Sequence, residues 1–412
     1  MGYKGRLATW SATGFLRHLA LYGAVLAGAL ALVGAAVVAV GSLATRIALA
    51  KADRAADREW SEALAPLSTV PERYPTTETD DRALRLEAIA GSLGIQLAAG
   101  AAPQPARPTA GVDAERLASA VALLLAGDPP VWAMDVADCR AAPATSERGQ
   151  LELQRLLLST AERAIAQGQP APAGELLAAS WRLNEALLRS PCLDCHLAAC
   201  GIVEQQMALL GELPDPGDEW RVRLAALDLV EHTLEAYRFE AWRARCLADH
   251  RFADLHPAAS WLVRPLARLA AHQQHEAMLF AVRELPRRDL RSFDADAFVA
   301  EQHARVSRAN PVGQSALPHD WTSWPRSLRA ALSVDLALRV LELRAAARAG
   351  GREALGPQPR QPSRLADVDW LYEVAPGGVV ITIDSAGWPE MAERPLRAAV
   401  DLRPATLRGG GA

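Results

Sequence analysis

One stretch of the chain is apolar without interruption, and almost all of the rest is apolar only periodically. From Leu19 to Leu43 it reads LALYGAVLAGALALVGAAVVAVGSL, twenty-five residues without a charge. At 1.5 Å per residue such a run crosses a hydrocarbon core of about 30 Å. Beyond it, apolar residues recur every three or four positions, and this period predicts helices. Thr79, Asp80 and Asp81 supply an N-cap and an acidic first turn for a helix to Ala99. Further helices are expected over Asp113–Leu125, Glu147–Gln167, Pro172–Arg189, Pro191–Leu213, Asp218–His250, Ser260–Leu285, Asp294–Arg308 and Pro325–Ala349. Within Asp218–His250, Trp220, Leu224, Leu227, Val230, Leu234, Tyr237 and Ala241 line one stripe, the signature of helix packed on helix.

The period changes after GGREALGPQPRQPSR, where Gly and Pro break the helical pattern. WLYEVAPGGVVITID, Trp370 to Asp384, alternates in side-chain type on both sides of Pro376-Gly377-Gly378 and predicts a β-hairpin that leans on the helices. The expected fold is mainly α: an N-terminal transmembrane helix, an irregular antiparallel helical bundle or array, and a short C-terminal β-hairpin. The chain divides into a cytoplasmic N-terminus (1–18), the membrane helix (19–43), a helical stalk with a short helix and a linker (44–111), an α-helical extracytoplasmic domain (112–349), a Pro/Gly linker with the hairpin (350–404) and a disordered tail (405–412). No 34-residue repeat emerges.

Charge orients the membrane helix. Lys4, Arg6, Arg17 and His18 precede it with no acidic residue, whereas Arg46, Lys51, Asp53, Arg54, Asp57, Arg58 and Glu59 mix both signs after it. The positive-inside bias places the short N-terminus in the cytoplasm. A cleaved signal peptide ending near Ala48-Leu49-Ala50 fits less well, because the apolar run exceeds an h-region and Arg46 lies between it and that site. Arginine far outnumbers lysine, which occurs only at Lys4 and Lys51, and alanine is abundant. This is the composition of a GC-rich bacterial genome, so the expected location is the inner membrane, single-pass, with a periplasmic body. With 44 basic and 48 acidic side chains and a net charge of -4, the chain has no nucleic-acid-binding character.

Five cysteines and nine histidines carry the candidate chemistry. Cys192-Leu193-Asp194-Cys195-His196 has the spacing for covalent haem c attachment, two thiols to the vinyl groups and the imidazole as axial ligand. Against this, Ser190 and Pro191 place the motif in the first turns of a helix on which Cys192, His196, Cys200, Val203, Met207 and Leu210 share a face, a packing stripe. In an oxidising compartment the thiols can pair: Cys139, in a loop, is expected to bridge to Cys192, Cys195 or Cys200, with Cys246 a further disulfide candidate. His272 and His275 lie three apart on a helix, and exposed histidines rather than a metal site explain them. Most tryptophans, Trp181, Trp220, Trp242 and Trp261 among them, fall at possible core positions, while Trp321 and Trp324 read as an exposed loop pair. No nucleophile elbow, phosphate loop or dinucleotide fingerprint is present, so the sequence supplies no catalytic residues and favours a non-enzyme.

The run LLAASWRLNEALLRSPCLDCHLAACGIVEQQMALLGEL resembles, in its layout of apolar positions, bacterial single-pass membrane-anchored all-helical proteins of unknown function. WLYEVAPGGVVITID resembles a shortened form of their terminal hairpin. The resemblance covers about half the chain; it implies an anchor, a helical body and plain core at Cys192–Leu210, and it transfers no functional residue. The sequence reading is therefore a membrane-anchored periplasmic helical interaction or scaffold protein. Its partners would be the lipid bilayer, through Leu19 to Leu43, and another envelope protein, with no cofactor. The competing reading is a membrane-tethered c-type cytochrome using Cys192, Cys195 and His196.

Overall fold

A computed structural model describes residues 12–63, 76–97, 113–134, 147–250, 257–288, 293–305, 323–350, 360–365, 368–375, 378–385 and 394–401, together with Trp388 and Met391; side chains at 12–16, 18–19, 52–53, 55–57, 59–63, 147, 244–250, 257–267, 305, 350 and 401 lie outside the description. The protein is mainly helical, with one apolar N-terminal helix and a small antiparallel sheet at the C-terminal end. Helix α1 (Ala12–Ala63) contains a 32-residue segment, Ala20–Lys51, long and apolar enough to cross a membrane, and its residues 20–41 are all exposed. Then follow α2 (Asp81–Ser92), α3 (Ala114–Leu125), α4 (Glu147–Ala166), α5 (Pro170–Leu188), α6 (Leu193–Glu212), α7 (Glu219–Ala226), α8 (Leu229–His250), α9 (Pro257–Glu284), α10 (Ala295–Arg305) and α11 (Ser323–Gly350). Strands β1 (Arg360–Pro362), β2 (Asp369–Ala375), β3 (Gly378–Ile383) and β4 (Arg397–Asp401) form one sheet in sequence order, each antiparallel to the next.

Local chemistry sets the helix ends. Asp80 accepts the Ala83 N–H at 2.7 Å and caps α2, and Asp113 caps α3 through the Arg116 N–H. α2 ends at Ser92 rather than at Ala99, because Gly94 takes φ +83° and the Ile95 N–H returns to the Ala90 carbonyl. Thr79 is not the cap; its hydroxyl accepts the Ala133 N–H, beside an antiparallel bridge between Thr77 and Met134. Gly149 has no substitute, since a Cβ there would overlap the Gln96 carbonyl oxygen.

The helix expected over Asp218–His250 is two helices. Asp228 accepts the Glu231 N–H at 3.0 Å and starts α8, so the chain turns at Leu227. The stripe divides accordingly: Trp220 and Leu224 enter one cluster, while Leu234, Tyr237 and Ala241 enter another.

Among the described residues, three hydrophobic clusters make up the core. The largest joins α2 to α7, the second joins α8, α9, α10 and the start of α11, and the third joins α11 to the sheet. α2, which the sequence placed with the stalk segment, contributes Ala83, Leu86 and Ala90 to the first of them. α11 enters all three. Ala330, Val334, Ala337, Leu338 and Leu341 face the first, Trp324 and Leu328 the second, and Leu332, Leu336 and Val340 the sheet. A helix that gives apolar residues to three clusters is a core helix.

The C-terminal element exceeds the expected lone hairpin. The β2–β3 pairing is present, with Trp370 opposite Ile383 and Tyr372 opposite Ile381, and two flanking strands complete the sheet. Arg360–Pro362, which reads as linker, is an edge strand, a place where Pro is tolerated. Alternate residues Val379, Ile381 and Ile383 of β3 are buried against α11 beside Trp370 and Val400.

The sheet is fixed to α11 by a buried carboxylate. Asp335 is 3% exposed, and its Oδ2 accepts the Trp370 indole N–H at 2.7 Å, the Ser363 hydroxyl at 2.7 Å and Arg339 Nε at 3.4 Å. Arg339 in turn donates to Gln361 and Tyr372, both at 3.0 Å, and to the Pro362 carbonyl. Removing one partner of such a pair leaves a buried charge uncompensated. Asp335→Ala is therefore expected to destabilise the full chain in detergent by roughly 3–5 kcal/mol in urea titrations, with the Trp370 environment lost first; a change below about 1 kcal/mol would show that the pair does not anchor the sheet.

Candidate functional site

The Cys-x-x-Cys-His segment begins α6. Cys192, rather than Ser190, is the N-cap, in an extended conformation, and the Ser190 hydroxyl accepts the Cys192 N–H at 3.4 Å. The expected stripe is buried throughout: Cys192 is 8% exposed, His196 2%, Cys200 1%, and Val203, Met207 and Leu210 lie among the core residues. α6 packs against α5, α8 and α11, and this stripe meets α8 and α11 in a polar junction.

Thr233 of α8 donates its single hydroxyl proton to the Leu229 carbonyl at 2.6 Å, leaving its oxygen to accept the His196 Nε2–H at 2.8 Å. Cys200 Sγ lies 3.4 Å from the same Nε2, and its S–H points to Ser327 Oγ of α11 at 3.9 Å. Ser327 donates to the Ser323 carbonyl, and Ser323 Oγ shares a 2.6 Å hydrogen bond with Tyr237 of α8. Burial, with help from His232 stacked 6.4 Å away, pushes the His196 imidazole down to about 4, and burial pushes the Cys200 thiol up to about 12. The pair is therefore a neutral imidazole and a neutral thiol at pH 7. A thiolate nucleophile is not available at Cys200, and the junction is a structural connector between three helices.

The same geometry does not fit haem c. An axial histidine needs a ring nitrogen directed at iron from a face open to the macrocycle. His196 Nε2 is bonded to Thr233, and the face beneath it is filled by α8 and α11.

The other sequence candidates separate. Cys139 lies outside the described residues, as does the side chain of Cys246. The bridge expected from Cys139 therefore also falls outside the described residues; Cys192, Cys195 and Cys200 are in no disulfide, and Cys200 is held inside the junction. His272 and His275 are buried, not exposed, and His275 Nδ1 donates to the Ala241 carbonyl at 2.9 Å, joining α9 to α8. Among the described residues no three His, Cys, Asp or Glu side chains converge as a metal-binding group. Trp324 is 1% exposed in the first turn of α11 and is not a surface residue; Trp321 lies outside the described residues. Trp181 and Trp220 are core and meet edge to face at 5.4 Å.

One surface feature was not legible in the sequence. A cleft of about 630 Å³ lies between α7 and α11, with Val222, Ala225 and Leu338 as its apolar lining and Arg221, Arg339, Arg364, Asp335 and Glu342 around it. Val222 is 72% exposed. Arg364 donates to the Ala225 carbonyl, which closes one end of the cleft. Arg221 and Arg364 are 143 residues apart, so no local pattern could have paired them; the sequence signal was Asp335, a carboxylate in the apolar middle of α11.

The chain matches no protein-family model, no curated protein and no solved structure, so function must be argued from its own sites.

The junction makes stability depend on acid. The imidazole protonates near pH 6.5 when unfolded but only near 4 when folded, so on acidification the unfolded state takes up the proton first. Stability is therefore complete above pH 6.5 and falls between 6.5 and 4, by at most about 3 kcal/mol for the whole shift. Urea titrations of the full chain at pH 7 and pH 4.5 are expected to show this loss, and His196→Gln to remove most of it; an unchanged acid slope in the variant would contradict the buried neutral imidazole.

Proposed function

We propose that this chain is a bitopic inner-membrane protein, N-terminus in the cytoplasm, whose helical body lies in the periplasm and binds another protein of the cell envelope. The observation that carries the anchoring is α1, whose apolar side chains are open on every side: Leu21, Val25, Leu26, Leu30, Leu32 and Val40 are each more than 60% exposed. Apolar surface of that extent is stable only in lipid. Farther along the same helix Leu49 is buried and α1 packs on α9, so the anchor continues into the body without an intervening flexible linker. The asymmetry of Lys4, Arg6 and Arg17 before the apolar run supports the orientation.

A binding role is favoured over catalysis by the contrast between the two sites. The titratable groups of the junction are buried, neutral and mutually bonded, while the α7–α11 cleft offers an exposed valine beside Arg221 and Arg364, with the Asp335–Arg339 pair and Glu342 completing its lining. That surface suits a polypeptide presenting an apolar side chain beside carboxylates.

Two experiments test the reading. Alkaline phosphatase fused to the C-terminus should be active in cells, and an inactive fusion would reverse the orientation. A photocrosslinking residue at position 222 should capture a discrete envelope protein, with the adduct reduced at least several-fold by Arg364→Glu; a yield unaffected by that charge reversal would remove the cleft from the binding surface.

A further inference from the structure

Cys192 and Cys195 occupy the N-cap and third positions of α6, one helical turn apart. The Cys195 thiol hydrogen-bonds the Cys192 sulfur, and the backbone N–H groups of Asp194 and Cys195 point toward that sulfur without forming a full cap. Glu240 of α8 accepts the Leu193 N–H and pairs with Arg243 at 3.4 Å, so a carboxylate from a second helix completes the start of α6. The junction does not use these two thiols. Its own thiol, Cys200, is 1% exposed, whereas Cys192 is 8% exposed and is the outermost of the three described cysteines.

We propose that Cys192 and Cys195 form a reversible dithiol–disulfide couple that exchanges with disulfides of other molecules, Cys192 attacking and Cys195 resolving. The structure holds the reduced state. In the first step the Cys192 thiolate attacks one sulfur of a disulfide RS–SR′; the Cys192–SR bond forms, the S–S bond breaks, and R′S⁻ leaves and takes a proton. In the second step Cys195 loses its proton to solvent and attacks the Cys192 sulfur, forming the Cys192–Cys195 bond and expelling RS⁻, which is protonated. Two electrons pass from the two thiols of the chain to the partner, which departs as two thiols. The helix start assists this chemistry. The hydrogen bond from Cys195 brings the Cys192 thiol down to about 7, against burial and the charge of Glu240. The positive end of α6 favours that thiolate both as attacking group and as leaving group.

The test uses the full chain in detergent, equilibrated with mixtures of reduced and oxidised glutathione, acid-quenched and mapped by mass spectrometry. A disulfide between Cys192 and Cys195, with Cys200 still a thiol, is expected. Alkylation of Cys192 by iodoacetamide in the reduced chain should have its midpoint near pH 7, and Cys195→Ser should move that midpoint upward. Failure to form this disulfide would overturn the proposal. So would a glutathione adduct that persists on Cys192 in the presence of Cys195, or an alkylation midpoint in the ordinary thiol range near 8.5. The mapping needs no variant, so misfolding of Cys195→Ser would not obscure the result.

Discussion

The architecture depends on one helix that three hydrophobic clusters share. α11 supplies residues to every hydrophobic cluster, and no other described element does. Buried apolar surface is favourable but indifferent to direction, so it cannot by itself fix how three neighbours are placed around a common axis. Polar groups do this at intervals along α11. Ser323 and Ser327 meet Tyr237 and Cys200, Arg329 meets Glu204 at 3.1 Å and the Arg394 carbonyl at 2.8 Å, and Asp335 with Arg339 holds the sheet. Farther along, Arg344 donates to the Gly211 and Leu213 carbonyls, which α6 leaves unpaired at its C-terminal end. Each of these contacts is satisfied in one rotation of the helix and broken in others.

The buried polar groups therefore explain orientation, while the three clusters explain stability. The same division extends to α4, α5 and α6, where Gln154 and Ser180 exchange hydrogen bonds and Gln206 donates to the Ser180 hydroxyl at 2.8 Å. Groups in such networks are neutral and mutually bonded, which makes them poor reagents. The thiols at the start of α6 differ because they sit at a helix end, where backbone N–H groups have no intrahelical acceptor.

Much of the fold was legible because helical periodicity is a local property. The apolar run of α1, the limits of α4 within a residue and the β2–β3 hairpin all follow from neighbouring residues. The break at Leu227 was legible in principle: Asp228-Leu229-Val230-Glu231 has the spacing of a capping box inside an otherwise continuous stripe. β1 was not, since Arg360-Gln361-Pro362 has no strand pattern; in the fold it pairs with β2, Arg360 reaches Asp369 at 2.8 Å and Asp384, and Gln361 accepts from Arg339. Trp324, His272 and His275 were read as exposed because polarity or a neighbouring proline dominates their local sequence; their burial is set by helices that arrive from elsewhere in the chain. The cleft has the same origin, and the cysteine motif was visible at once while its hydrogen-bonded state was not.

The central claim, that α11 couples the three clusters into one cooperative body, is tested most directly by hydrogen–deuterium exchange of the full chain and of Leu332→Ala. Leu332 is fully buried and packs only in the cluster with the sheet. If α11 is the shared wall, this truncation, worth roughly 2–5 kcal/mol, should accelerate exchange in α5 and α8 as well as in β2 and β3. Acceleration confined to the sheet and the adjoining turns of α11 would contradict the account and make the sheet an independent unit resting on the helices.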